Sequence, residues 1–89
     1  MTQTISSRLA TTREAEREHT YHLIGQDHLR FPAGIYVVRI LSGKAWITHH
    51  QRDVTLKSGE SVALVVTQKG SVLSPLGRHP LELAVARIG

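Results

Sequence analysis

From Thr20 onward the chain is a succession of short apolar runs cut by turn residues. Residues 21–24 stop at Gly25-Gln26-Asp27, and 28–31 stop at Pro32-Ala33-Gly34. Residues 35–41 precede Ser42-Gly43, and 44–48 run into a polar stretch at 49–53. Residues 54–56 end at Lys57-Ser58-Gly59-Glu60, 61–66 at 67–70, and 71–73 at 74–80, before a final run over 81–88. Short runs rich in Val and Ile, separated by Gly, Pro, Ser and Asp, are the signature of antiparallel strands folded into a sandwich or barrel. Side chains of a strand alternate between two faces. Val62, Leu64 and Val66 therefore share a face, as do Leu81, Leu83 and Val85 opposite Glu82 and Ala84, and Tyr36, Val38 and Ile40 opposite Arg39. These sets are expected to supply much of the core. Gly43 and Gly59 fall where a strand reverses, positions that favour a positive φ. Pro80 suits the start of a strand, whose first residue need not donate to the ladder. The pattern predicts an all-β domain of about seven to eight short strands.

Residues 1–19 follow a different rule. They are polar and charged, with Thr11-x-x-Glu14 spaced as a capping box. Arg13 and Arg17, and Glu14 and Glu18, repeat at helical spacing, which puts like charges side by side, and the apolar anchors are Ile5, Leu9 and Ala15. The expectation is a flexible or partly helical arm over 1–19, with at most a short helix over 12–19, followed by a β-barrel domain at 20–89.

At 89 residues the chain holds one domain, which buries a little over ~60% of its unfolded surface. Composition, 40% hydrophobic and 20% charged, is that of a globular protein. There is no cysteine, which excludes disulfides, thiolate metal sites and cysteine nucleophiles. The first residues lack the apolar stretch of a signal peptide, and the longest nearly apolar run, 62–66, is far short of the ~20 residues that span a bilayer. A cytoplasmic location and no membrane partner are expected. The formal charge is +4, from 11 Lys+Arg against 7 Asp+Glu. The basic residues are dispersed, and folded nucleic-acid binders cluster charge on one face. Stacking residues are also sparse, being Tyr21, Phe31, Tyr36 and Trp46. Nucleic acid is therefore not the expected partner; a weak binder acting through a basic surface is the remaining alternative in that class, and it would release its ligand steeply with salt.

One stretch carries a resemblance. Arg39-Ile40-Leu41-Ser42-Gly43-Lys44-Ala45-Trp46-Ile47-Thr48, followed by Leu56-Lys57-Ser58-Gly59-Glu60-Ser61-Val62-Ala63-Leu64, resembles a bacterial family of small cupin-like domains of unknown function, the DUF 2917 type. Such domains show a hydrophobic strand, Gly-[Arg/Lys]-x-Trp-[Val/Ile]-Thr, a variable turn, then Leu-x-x-Gly-[Glu/Asp]-Ser and another hydrophobic strand. The likeness covers residues 20–88 loosely and 38–64 closely. It implies a compact cupin-like antiparallel β-barrel and leaves activity open. Trp46, the only tryptophan beside one Phe and two Tyr, is expected to pack against the core. Exposure would instead make it a contact for a ligand or partner.

Many cupin enzymes hold a metal with two or three histidines and a glutamate, in the pattern Gly-x5-His-x-His-x3–4-Glu-x6-Gly. Counted from Gly43, the first histidine falls on His49 and the second on Gln51. Counted back from Gly59, the glutamate falls on Arg52, a cation where an anion is needed. The second cupin motif, Gly-x5-Pro-x-Gly-x2-His, is shadowed by Gly70, Pro75, Gly77 and His79. At most His49 and His79, with His50 beside them, remain as ligands for an atypical metal-dependent enzyme, and an adjacent arginine repels the ion. His19-x-x-His22 has the spacing of a helical ligand pair but spans the junction of arm and barrel. No Gly-x-Ser-x-Gly elbow, phosphate loop or dinucleotide fingerprint is present. Asp27, Asp53 and Glu60 fall in predicted turns, where carboxylates cap backbone amides. The sequence thus names no catalytic residue, no metal site and no cofactor. It points to a non-enzymatic cupin-like module that binds a small molecule or a protein partner, with Trp46, His49, Arg52 and His79 as candidate contacts and self-association as a homodimer.

Overall fold

The computed structural model describes residues 18–49 and 52–89. Every regular element among them is a strand: β1 (Glu18–Leu23), β2 (Leu29–Phe31), β3 (Gly34–Ser42), β4 (Lys44–His49), β5 (Arg52–Lys57), β6 (Ser61–Val66), β7 (Ser71–Pro75) and β8 (Leu81–Arg87). They form two four-stranded sheets, ordered β1-β8-β3-β6 and β2-β7-β4-β5, called here the β8 sheet and the β4 sheet. All pairings are antiparallel. The expected all-β architecture is the one observed. Of the predicted arm, residues 1–17 lie outside the described residues, and Glu18 and His19 belong to β1.

The core follows from the alternation. Tyr36, Val38 and Ile40 of β3, Leu64 and Val66 of β6, and Leu81, Leu83 and Val85 of β8 are buried on the inner face of one sheet. Phe31 of β2, Ala45 and Ile47 of β4, Leu56 of β5 and Leu73 of β7 meet them from the other. Val38, Ile40, Ile47, Leu73, Leu81 and Leu83 are essentially sealed from solvent. Burying each such side chain is worth about 1.5–3 kcal/mol before the entropy of ordering is charged against it.

The residues behind the sequence resemblance turn out to fasten the two sheets together. Gly43 makes the corner between β3 and β4 with φ 88°. A Cβ at that position would overlap the carbonyl oxygen of Pro80, where the chain enters β8. Only glycine satisfies both the dihedral and the close approach. The Lys57-Ser58-Gly59-Glu60 turn is docked onto β3 beside its register shift between Ile40 and Ser42. The Gly59 amide donates to the Ile40 carbonyl, the Ile40 amide donates to the Glu60 carbonyl (both 2.9 Å), and the Ser58 hydroxyl donates to the Leu41 carbonyl at 3.1 Å. Gly59 has φ 89°. The Glu60 carboxylate accepts the Lys57 amide at 2.9 Å, and Asp27 accepts the Ile24 amide at 3.0 Å, which are the capping roles expected of turn carboxylates. Asp53 differs, being a strand residue of β5 opposite Thr48.

Candidate functional site

Of the sequence-nominated residues, Trp46 is the clearest correction. Ala45 and Ile47 are fully buried on the inner face of β4, so the residue between them must point outward. Trp46 accordingly lies on the outer face of the β4 sheet, between Thr55 and Ser74, and is 39% exposed. It is not a core residue. Its surface position keeps it available as a contact residue.

His49 ends β4 and is half-buried. Its Nδ1 shares a 2.7 Å hydrogen bond with the Ser71 hydroxyl. Ser71 is the one buried polar side chain among the described residues, so the bond satisfies a group that would otherwise cost free energy in the interior. Across the β4–β5 pairing, Arg52 is the register partner of His49. His79 lies elsewhere. β4 runs from Lys44 to His49, and His79 shares a cleft with Lys44 at the far end of that strand. At about 3.3 Å per residue the two ends of β4 are separated by roughly 16 Å. His49 and His79 therefore do not converge. His50 lies outside the described residues.

The position that β7 places beside His49 is Ser71, which the sequence did not nominate. Counted from Gly59 rather than Gly70, the second cupin motif ends at residue 70, one short of Ser71. Among the described residues, the donors at this end of the barrel include an imidazole, a neutral hydroxyl and a guanidinium. By themselves these described groups do not fit a divalent metal, which needs several neutral or anionic ligands and no cation among them. Elsewhere among the described residues, no three His, Cys, Asp or Glu side chains come together. His19 and His22 fall on a strand rather than a helix, so they point to opposite faces. His22 instead bonds the Glu82 carboxylate at 3.1 Å.

One cavity is announced by no spacing in the sequence. It is a cleft of about 790 Å³ between the two sheets, where the short edge strand β2 faces β1 and β8. Its apolar wall is Tyr21, Leu29, Phe31, Tyr36 and Val85. The Phe31 and Tyr36 rings pack with centroids 5.0 Å apart, tilted by 50°, within the range in which aromatic pairs attract. The Tyr36 hydroxyl donates to the Pro32 carbonyl at 2.7 Å, which holds the ring in place. His19, Arg30 and Arg87 line it too, with Pro32, Ile88 and Gly89, and no side-chain carboxylate of the described residues contributes. The Arg87 guanidinium lies 5.8 Å from the Tyr36 ring centroid and donates to the carbonyls of Gly89 (3.0 Å) and Ala33 (3.2 Å). His19 and Arg30 make no side-chain hydrogen bond or ion pair among the described residues. Phe31 links the cleft to the histidine end of the barrel, because it is the register partner of Ser71.

A second cleft, about 580 Å³, opens at the opposite end and is lined by His22, Lys44, Lys57, Leu76, His79 and Glu82, among others. Its acid, Glu82, is engaged by His22.

This architecture is shared with known cupins. The structure is similar to the cupin-2 domain of an XRE family transcriptional regulator from Enterobacter cloacae, with TM-score 0.70 and 13% identity over 81% of this chain and 79% of that one. It is similar to a cupin protein from Bacteroides fragilis, with TM-score 0.64, 17% identity, and coverage of 80% and 63%. A de novo designed double-stranded β-helix matches with TM-score 0.63 and 18% identity over 81% of this chain and 99% of that one. No family model matches the chain, and no curated protein does. The fold is therefore that of a cupin-like double-stranded β-helix. The low identities carry the fold and nothing finer.

Proposed function

We propose that this cupin-like domain is a non-enzymatic binding module, of the small DUF 2917 type, that takes a small organic molecule in the cleft between β2 and the β1–β8 edge. The observation that carries the reading is the composition of that cleft: an aromatic and aliphatic wall with three basic side chains and, among the described residues, no side-chain carboxylate around it. Ligand sites are mostly apolar cavities of ~300–1,000 Å³ with a few polar groups that fix orientation, and this cleft is of that size and kind. The chemistry it favours is a molecule with an apolar or aromatic body and one anionic or strongly accepting group. The body would replace water against Phe31 and Tyr36, and the acceptor would meet donors of His19, Arg30 or Arg87. The separation of His49 from His79, and the arginine opposite His49, support the absence of a catalytic metal centre.

An amide-resolved NMR titration of the full chain with phenylpropionate, and in parallel with its uncharged amide, tests the proposal. The expected result is saturable shifts at Phe31, Tyr36, Val85 and Arg87, stronger for the carboxylate and weakened by Arg30→Gln. Shifts absent from those residues with both probes would reject the cleft as the binding site. Shifts at the second cleft, around His79, would move the site to the other end of the barrel.

A further inference from the structure

The end of the barrel away from His49 carries charge that the fold does not balance. Lys44 opens β4, Lys57 closes β5, and the two are register partners. Directly opposed residues of an antiparallel pair have Cβ atoms about 4.5–5.5 Å apart, and like charges there repel. Both lysines line the second cleft, with His79 beside them. None of the three makes an ion pair or side-chain hydrogen bond among the described residues. Glu82 is the one carboxylate on the described lining, and His22 bonds it at 3.1 Å. Glu60, in the neighbouring turn, accepts the Lys57 amide at 2.9 Å. The walls around the lysines are fixed by the backbone. The β3–β4 corner sits against the Pro80 carbonyl at Gly43. The Leu76 amide donates to the Lys44 carbonyl at 3.0 Å, which ties the β7–β8 connection to the start of β4. The Ser58 hydroxyl holds the β5–β6 turn to Leu41. Three connections therefore frame a volume of about 580 Å³, and the exposed Leu76 and Pro80 give it apolar surface.

We infer that this cleft is a second ligand site, separate from the one between the sheets, and that it takes a small organic phosphate monoester. Charge selects the group. A phosphate monoester carries about −1.5 to −2 near neutral pH and offers three acceptor oxygens. One such group meets both ammonium groups at once and removes their repulsion, whereas a carboxylate neutralises only one of them. Lysine binds phosphate as a point charge, so the pair needs no forked geometry. The His79 ring and the Ser42 hydroxyl, on the same lining, add donors. The apolar surface of Leu76 and Pro80 selects an ester over the bare ion, because an organic body covers it and displaces water. The volume lies within the ~300–1,000 Å³ of small-molecule sites. The two clefts lie at opposite ends of the barrel, so occupation of one leaves the other open.

An amide-resolved NMR titration of the full chain with phenyl phosphate, and in parallel with inorganic phosphate, tests it at neutral pH and low salt. The expected result is saturable shifts at Lys44, Lys57, Gly77 and His79, with tighter binding of the ester. Lys44→Gln and Lys57→Gln should each weaken binding about tenfold. Both lysines are exposed, so the variants are expected to fold, and either one suffices if the other does not. Lys69→Gln removes the same charge from the connection between β6 and β7 and should leave the affinity within about twofold. A loss as large with Lys69→Gln means that net charge rather than a site attracts the anion, and overturns the inference. Failure of both probes to saturate at the cleft residues overturns it, as do shifts confined to Phe31, Tyr36 and Val85. Equal affinity for the two probes overturns the choice of an ester. The cleft between the sheets is tested with a carboxylate, so either proposal can fail without the other.

Discussion

The two sheets are alike inside and unlike outside. Within, both contribute sealed aliphatic side chains to one core, Leu81 and Leu83 from β8 and Ile47 and Leu73 from β4 and β7. Outside, β3, β6 and β8 carry Ile35, Val37, Val65 and two alanines beside Arg39, Ser61 and Glu82, whereas β4 and β5 carry Lys, Thr and Asp beside Trp46. The inner faces are what the fold demands, since a sheet must bury one face to exist. The outer faces are free of that demand. What a sequence places there is set by demands other than the fold.

The largest expected effects test the likeness of the inner faces. Leu83→Ala and Leu73→Ala each leave a cavity in the shared core and are expected to cost about 2–5 kcal/mol, a large part of the stability of a domain this small. Denaturant titration should find the two within about 1 kcal/mol of each other; a much cheaper Leu73→Ala would mean that the sheets do not share one core. Next is the corner between them. Gly43→Ala should destabilise by more than about 1 kcal/mol, because the new methyl meets the Pro80 carbonyl at a dihedral that L-residues avoid. Gly25→Ala, also at positive φ but with open space around it, should cost less.

Smaller still is the polar pair at the barrel end. Removing the imidazole with His49→Leu leaves the buried Ser71 hydroxyl without its partner and should cost about 1–3 kcal/mol. The double variant with Ser71→Ala should recover part of that loss, and additive losses would show the bond to be unimportant. The smallest effect belongs to the outer face. Glu18→Gln breaks an exposed ion pair and should change monomer stability by less than about 1 kcal/mol. Its loss measured at low and high salt gives the screened, surface contribution directly.

Much of the fold was legible because a strand's faces are written with period two. The core sets in β3, β6 and β8 fell where their alternation placed them. The same rule, applied to Ala45-Trp46-Ile47, already contained the outward direction of Trp46, but the usual preference of a lone tryptophan for burial masked it. Gly43 was legible as a corner; that its neighbour across the corner is Pro80 was not, because they lie far apart in sequence. His79 was nominated by counting along a motif, while Ser71, the residue that actually meets His49, carried no signal in a chain with many hydroxyls. The cleft was illegible for a related reason. Its walls come from β1, β2, β3 and β8, and no single segment holds enough of them to form a motif.

The strand order carries one more consequence, and it concerns time. In the β8 sheet no two neighbours are consecutive in the chain, and in the β4 sheet only β4 and β5 are. Nearly every pairing must therefore close a long loop before it gains a ladder of hydrogen bonds, which makes folding of such topologies slow, on the order of milliseconds to seconds. The β4–β5 hairpin is the piece that can form alone. The β8 sheet waits for β8 itself, the central strand that joins β1 to β3. During synthesis, β1 and β3 must remain unpaired with that strand until it emerges. The apolar outer side chains of β3 and β6, Ile35, Val37 and Val65, are exposed throughout that interval, when unpaired strands and apolar surface are prone to premature contact.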